Sequence, residues 1–267
     1  MGKPNIQNLK EKRNISRLIK AVQHKDERIR YAAVRALGEL ADDRAVTPLI
    51  GALLDTDCSM RMNAAAALRE LRRDDQAVAA LLPILQDADP SARAAAAGAL
   101  GNLRNPRAVE PLMATLQDPS EKLRSGAAFA LGQIGDARAV GALISCLKDG
   151  NELVRRAAAG ALGRLGDERT VDPLIACLKD GSIYVRCAAA KALGTLSNER
   201  AVEPLFAALQ DKTHLGSRWA AATALGEIGS TRAMEFLNSA LQDEDQEVRW
   251  YAQEVLDSQE DVYPMFD

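Results

Sequence analysis

Residues 154–180 read VRRAAAGALGRLGDERTVDPLIACLKD, and variants of this stretch return along the whole 267-residue chain. Each copy contains an arginine at the same place, and these arginines follow one another at intervals of 31 or 32 residues. The arginine column consists of Arg30, Arg61, Arg93, Arg124, Arg155, Arg186, Arg218 and Arg249. Eight copies of so short a unit predict a repeat architecture, because one unit cannot bury its apolar face alone.

Each unit contains two segments with helical periodicity, which we name the A helix and, with the column arginine, the B helix. Val171, Leu174, Ile175 and Leu178 show the spacing i, i+3, i+4 and i+7, and no segment sustains a period of two. Four residues before an arginine stands a side chain suited to capping the B helix. The predicted caps are Asp26, Asp57, Asp89, Ser120, Asn151, Ser182 and Asp245. The seventh repeat breaks the pattern with one extra residue within 211–217.

Prolines and glycines also fall into columns. A proline inside the A helix removes a backbone hydrogen bond, so we expect it to bend or restart that helix. This proline column holds Pro48, Pro111, Pro173 and Pro204. Glycines near the end of the B helix predict close backbone approach between repeats. They are Gly38, Gly101, Gly132, Gly163, Gly194 and Gly226. Three residues later, Gly135, Gly166 and Gly229 are predicted helix C-caps.

The stretch at 154–180 resembles the short HEAT repeat, in particular the subtype first described in phycobilisome lyases, and the resemblance covers residues 14–257. It implies an all-α, right-handed solenoid (superhelix) of eight two-helix HEAT-like repeats, with B helices on the concave face. It also implies that column arginines bond to neighbouring loop acids. These acids are Asp55, Asp87, Asp118, Asp149, Asp180, Asp211 and Asp243. We therefore expect a basic N-terminal segment at 1–13, the solenoid at 14–257 and an acidic C-terminal tail at 258–267.

Composition narrows the function classes. The net charge of -3 gives no general basic field and disfavours nucleic acid as a partner. No apolar stretch is long enough to span a membrane, 1–13 lacks a secretory signal, and the four cysteines lack metal-ligand spacing. We therefore predict a cytoplasmic protein. Residues 1–30 hold nine basic and three acidic residues, whereas 235–267 hold ten acids and one arginine. This asymmetry indicates two solvated ends or, alternatively, end-to-end self-association or a basic docking site.

Two columns of the B helix vary most, one and five residues after the arginine, and they share one helix face. The first variable column holds Tyr31, Met62, Ala94, Ser125, Arg156, Cys187, Trp219 and Trp250. The second variable column holds Arg35, Ala66, Gly98, Phe129, Gly160, Lys191, Thr223 and Glu254. Exposed aromatics and arginines anchor interfaces. The predicted partner-binding residues are therefore Tyr31, Arg35, Phe129, Arg156, Lys191, Trp219 and Trp250. In the alternative interpretation, Trp219 and Trp250 cover the core of the terminal repeats.

Residues that could carry catalysis are missing from the pattern. His24 and His214 fall in predicted loops, and the chain has no phosphate-binding loop, no nucleophile motif and no His–Glu pair. Cys187 lies in a variable column as a possible thiol contact or nucleophile. We expect no metal, no cofactor and no catalysis, and a non-catalytic scaffold or adaptor that binds a protein partner. The subtype resemblance offers an alternative: a subunit of a bilin lyase, or a chromophore-handling chaperone.

Overall fold

The computed structural model describes residues 4–70, 74–212 and 215–260, and these residues form helices and connecting turns without any β-strand. The chain divides into two compact units, Met1–Asp136 and Ala137–Asp267, which we call unit 1 and unit 2. The described residues of each unit contain four A–B helical hairpins. Most of the predicted tail, residues 261–267, and His214 lie outside the described residues.

Unit 1 begins with an additional helix that packs on the first hairpin, followed by four hairpins in which A and B helices alternate. The additional helix is α1 (Ile6–Glu11). The A helices are α2 (Ile15–Ala21), α4 (Val46–Ala52), α6 (Asp74–Leu81) and α8 (Val109–Thr115). The B helices are α3 (Glu27–Leu40), α5 (Cys58–Glu70), α7 (Pro90–Leu103) and α9 (Glu121–Ile134).

Unit 2 repeats the same alternation through four hairpins. The A helices are α10 (Val140–Cys146), α12 (Val171–Cys177), α14 (Val202–Gln210) and α16 (Thr231–Ala240). The B helices are α11 (Glu152–Leu165), α13 (Ile183–Leu196), α15 (Arg218–Ile228) and α17 (Gln246–Glu260). Within each unit, consecutive B helices pack side by side along a core of buried alanine and leucine, such as Ala158, Ala159 and Leu162 of α11.

Close packing of the B helices depends on the glycine column, as predicted. A methyl group at Gly163 would lie 2.8 Å from the Cα atom of Ala192, and one at Gly101 would lie 2.8 Å from the Cα atom of Ala130. Both distances are shorter than carbon atoms tolerate, so the neighbouring backbone occupies the space of the missing side chain.

The proline column restarts the A helix rather than bending a continuous one. A 3₁₀ turn at Glu168–Thr170 precedes α12, so Pro173 lies in the first turn of the α-helix, where no intrahelical amide bond is lost. The third repeat departs from this order. There α6 ends first, and the 3₁₀ segment Leu82–Gln86, which contains Pro83, follows it. The reason is that proline disfavours α-helix at the residue before it.

The predicted caps are mostly confirmed. The carboxylates of Asp26, Asp57 and Asp245 accept the backbone amides two residues later at 3.1, 2.8 and 2.9 Å. Ser120 and Ser182 stand at the N-cap position but make no side-chain cap bond, so the predicted bond is wrong there. Helices α9, α11 and α15 end as predicted in the left-handed conformation, at glycines with φ of 79°, 69° and 62°. The same conformation occurs after three other B helices, at Ala41, Arg104 and Ser197, and after α1, at Arg13.

The extra residue of the seventh repeat shortens its B helix. A 3₁₀ turn, Leu215–Ser217, takes up the first positions, and α15 begins only at Arg218. Its column arginine is therefore the first helical residue, whereas Arg155 is the fourth residue of α11.

Candidate functional site

The arginine column forms a ladder inside the stack. Nη1 of the column arginine donates to the backbone carbonyl of the loop aspartate six residues earlier in six repeats, at 2.6–2.9 Å. Arg155 also binds Asp180 of the following repeat through two bonds, from Nε at 2.8 Å and from Nη2 at 2.9 Å. Arg93 contacts Asp118 of the following repeat at 3.1 Å. The expectation from the resemblance is confirmed at these positions, and the arginines tie repeats together.

The Arg155–Asp180 pair is largely shielded from water, since only 18% and 13% of the two side chains are exposed. The guanidinium of Arg155 lowers the pKa of the Asp180 carboxyl below its usual value, against the smaller opposing effect of burial. The hydrogen bond from the Ser182 amide adds to this lowering. The ionised carboxylate of Asp180 thus accepts hydrogen bonds both from the Ser182 amide in its own loop and from Arg155 of the preceding repeat.

The ladder changes at the seventh repeat. Arg218 is fully buried, and its Nε donates to the Leu209 carbonyl at 2.7 Å while Nη1 contacts Asp245 at 3.0 Å. The acidic partner of Arg218 is thus Asp245, the cap of α17, whereas the loop acid Asp243 accepts from Arg249 through its backbone carbonyl. The shifted start of α15 explains the change, because the arginine enters the helix three positions earlier than in α11. Arg186 contacts the 3₁₀ turn that precedes α15, because its Nε donates to the hydroxyl of Ser217 at 3.0 Å.

In unit 1, the variable columns give three predicted residues different surroundings. Arg35 is 79% exposed and pairs with Glu39 at 3.5 Å. Phe129 is exposed on α9. Tyr31 is half-buried instead, and its hydroxyl donates to Asp57, the cap of α5. The Tyr31 hydroxyl therefore joins two repeats, and the bond raises the pKa of the phenol. Its role in partner binding stays a prediction.

Unit 1 also exposes a large side chain that the prediction left out. Met62 of the first variable column is 57% exposed and lines a surface cavity of about 170 Å³ with Asn102, Arg104 and Gln133. A methyl group at Gly98 of α7 would meet nothing within 4 Å. The small second-column residue thus leaves open space on this face of α7.

In unit 2, the two tryptophans of the chain come together. Trp219 of α15 and Trp250 of α17 are 43% and 57% exposed, with ring centroids 6.0 Å apart and planes at 27°. Tyr251 is half-buried and joins them, with centroids 5.7 Å from Trp219 and 5.1 Å from Trp250. Sequence reasoning missed Tyr251. The available signal was a bulky ring two residues after the arginine, where the other repeats carry small or short residues such as Ala157.

The two predicted cations of unit 2 lie on neighbouring B helices. Arg156 of α11 and Lys191 of α13 are exposed. Neither has an ion-pair or hydrogen-bond partner for its side chain among the described residues. Between them, a methyl group at Gly160 would meet nothing within 4 Å. We call the two variable columns of α11, α13, α15 and α17 the unit 2 B surface.

Two of the thiols, Cys177 and Cys187, have surroundings that disfavour the thiolate. Burial raises the pKa of the Cys187 thiol, and its Sγ lies 3.7 Å from the Gly216 carbonyl. Burial raises the pKa of Cys177 to about 11. Since the thiolate is the nucleophile, these surroundings argue against a reactive role for Cys187. No three His, Cys, Asp or Glu side chains within 4–70, 74–212 and 215–260 are grouped to hold a metal ion.

None of the helices in the described part of the chain is long and apolar enough to cross a lipid bilayer.

Three solved structures resemble this chain over most of its length. YibA of Escherichia coli is 23% identical, with a TM-score of 0.55 over 96% of this chain and 98% of that chain. Human deoxyhypusine hydroxylase in complex with glycerol is 24% identical, with a TM-score of 0.42 over 97% and 100%. The complex of CpcE and CpcF of phycocyanin lyase from a Nostoc species is 26% identical, with a TM-score of 0.46 over 84% and 92%. The likeness to YibA shows the fold alone.

Sequence comparison points to one family. No curated protein matches the chain in sequence. The family model described as HEAT repeats matches residues 5–69, 51–120, 109–182 and 171–257, which together cover nearly the whole chain. With its alternating A and B helices, the chain is an all-α solenoid and belongs to the HEAT-repeat family.

Proposed function

We propose that this protein is a non-catalytic scaffold or adaptor that binds a protein partner on its B helices. The observation that carries the proposal is the exposed, stacked pair Trp219 and Trp250. Solenoids present extended surfaces of this kind to their partners. Aromatic side chains are also the residues that most often dominate binding energy at interfaces.

Trp219 and Trp250 leave a large apolar area exposed to water. A tryptophan offers roughly 250 Å² of surface, and about half of each ring system is still exposed here. Covering that area would contribute about 3 kcal/mol per tryptophan at 25 cal/mol per Å². The core is built of alanine and leucine, so these rings are not needed to fill it. In unit 1, Phe129 and Met62 are the corresponding exposed apolar side chains on B helices.

Affinity capture from the native cell tests the proposal. We expect Trp219→Ala and Trp250→Ala to release partners that the unaltered protein captures. Tyr184→Ala is the matched control, because Tyr184 is as exposed as Trp250 but lies two residues before the arginine, outside the variable columns. Circular dichroism checks that all variants fold. Retention of every captured partner by both tryptophan variants would refute the assigned surface.

The bilin-lyase or chromophore-chaperone alternative stays a prediction of the subtype resemblance, and no contact among the described residues adds support to it. The cytoplasmic location and the end-to-end self-association also stay predictions.

A further inference from the structure

Charge is unevenly distributed over the four B helices of unit 2. Helices α11 and α13 contain five basic residues and a single acid, Glu152. The basic residues are Arg155, Arg156, Arg164, Arg186 and Lys191. Arg155 and Arg186 belong to the ladder, whereas the other three are exposed. Although Glu152 lies four residues before Arg156, the two make no ion pair.

The opposite end of the same surface is aromatic and acidic. Trp219 and Trp250 form the ring pair there, and Glu254 follows Trp250 by one helical turn. Glu227, two turns after Trp219, is also exposed, and its carboxylate reaches over Gly194 of α13. A partner that crosses this surface therefore meets cations at α11 and α13 and flat rings at α15 and α17, and the two ring-bearing helices also expose one of these carboxylates each.

The dimensions suit an extended chain. Neighbouring helices pack about 8–10 Å apart, so the four B helices span roughly 24–30 Å between their outer axes. An extended polypeptide covers about 3.3 Å per residue, which gives roughly seven to nine residues across the surface. The open space at Gly160 lets a backbone lie close to α11.

We propose that the unit 2 B surface binds an extended acidic segment of a protein partner. The carboxylates of this segment pair with Arg156 and Lys191. A proline or aromatic residue of the segment, four to six residues away, packs on Trp219 and Trp250. This inference rests on the proposed function and specifies the class of partner for the same surface. The unpaired cations favour carboxylates over basic peptides, because opposite charges across an interface complement one another. Glu227 and Glu254 beside the rings disfavour a nucleic-acid strand, whose phosphates would continue past the anchor.

The tryptophans themselves report binding, because the chain has only these two. The probe is the acetylated nonapeptide DEDEGSPFP, titrated at low salt while the tryptophan emission is followed. Two matched peptides, KRKRGSPFP and DEDEGSAGA, test the charged part and the anchor. We expect saturable binding of the probe and at least tenfold weaker binding of each matched peptide. Equal or tighter binding of the basic peptide, tighter binding of a nine-nucleotide oligothymidine, or no saturable change with the probe would each overturn the inference.

Charge reversal locates the contact. We expect Arg156→Glu combined with Lys191→Glu to weaken probe binding at least tenfold and to reduce its dependence on salt. Lys148→Glu combined with Lys179→Glu changes the net charge equally at two exposed lysines that follow the A helices α10 and α12. This control should bind the probe within about twofold of the unaltered protein. Unchanged affinity in the first variant, with its fold verified by circular dichroism, contradicts the inference.

Capture from the native cell separates the two proposals. Release of the partner by the Arg156 and Lys191 reversal as well as by Trp219→Ala supports both. If the reversal retains a partner that Trp219→Ala releases, the acidic-segment inference fails and the scaffold proposal stands. If neither variant releases any partner, the scaffold proposal fails with it.

Discussion

Arg155 and Arg156 are adjacent in α11, and the structure gives them opposite surroundings. An arginine occupies the position of Arg155 in every repeat. Arg155 itself donates to the carbonyls of Asp149 and Gly150 and pairs with Asp180 of the next repeat. Arg156 has no counterpart of its type in the other seven repeats and lies exposed without a partner among the described residues. In a stack with neighbour contacts only, a residue that recurs serves the stack, whereas its varied neighbour is available for recognition.

Substituting the two arginines in turn should give the largest difference. We expect Arg155→Met to lower the free energy of unfolding by about 3 kcal/mol, because it leaves Asp180 and two backbone carbonyls without their donor. Arg156→Met should change it by less than about 0.5 kcal/mol, as is usual for an exposed side chain without contacts. Urea unfolding followed by circular dichroism measures both. Similar losses in the two variants would contradict the division between the columns.

Acid should reduce the stability loss caused by Arg155→Met. Arg155 holds the pKa of Asp180 below the unfolded value of about 3.9, so the ionised carboxylate contributes stability above that pH. This contribution is lost as the pH falls through the lowered pKa of the folded protein. The stability difference between Arg155→Met and the unaltered protein should therefore shrink below about pH 4. A difference that stays constant down to pH 2 would mean that the ion pair contributes little.

Two glycines of α11 extend the comparison to the backbone. Gly163→Ala should cost about 1–3 kcal/mol, because the added methyl group meets the Cα and Cβ atoms of Ala192, each at 2.8 Å. Gly160→Ala, in the second variable column, should stabilise the helix by up to about 1 kcal/mol, because its methyl group meets nothing. Thermal unfolding of the two single variants measures the difference in sign. A loss of stability at Gly160 would show that this column also belongs to the packed interior.

Most of the stack could be predicted from the sequence, because each of its devices depends on one residue type at a fixed place. The close approach at Gly163 and the left-handed cap at Gly166 follow from glycine alone, wherever the repeat places it. Contacts that depend on the register between hairpins could not be predicted. Arg218 meets Asp245 because one extra residue delays α15, and the Tyr31 hydroxyl binds a carboxylate 26 residues away.

The surface proposed for binding was likewise predicted in part. Its exposed positions could be predicted, since variation among repeats at a fixed helical place indicates a side chain that the core does not constrain. The chain thus gave Trp219, Trp250, Arg156 and Lys191 as surface residues, and each is exposed. Tyr251 was missed because its column lies beside the variable one, where a ring reaches the tryptophans only through the side-chain directions in the folded helix.

The smallest expected change in the free energy of unfolding concerns the residue that ends a B helix. Its residue type varies among repeats, although its backbone conformation is left-handed at Ala41, Gly166 and Ser197. Ala41 and Ser197 adopt the left-handed conformation, with φ of 52° and 48°, where other repeats use glycine. Ala41→Gly should stabilise the protein by about 0.5–1 kcal/mol, because glycine removes the strain at some cost in unfolded-chain entropy. Ser197→Gly should gain less, because the Ser197 hydroxyl donates to the Gly194 carbonyl at 3.1 Å and that bond would be lost. Urea unfolding of both variants, with Gly166→Ala as the reverse substitution, measures the series. Equal gains at Ala41 and Ser197 would show that the hydroxyl contributes nothing. A higher free energy of unfolding in Gly166→Ala would contradict the role of glycine in this column of left-handed C-caps. The variation of residue type in this column would then indicate a role in recognition.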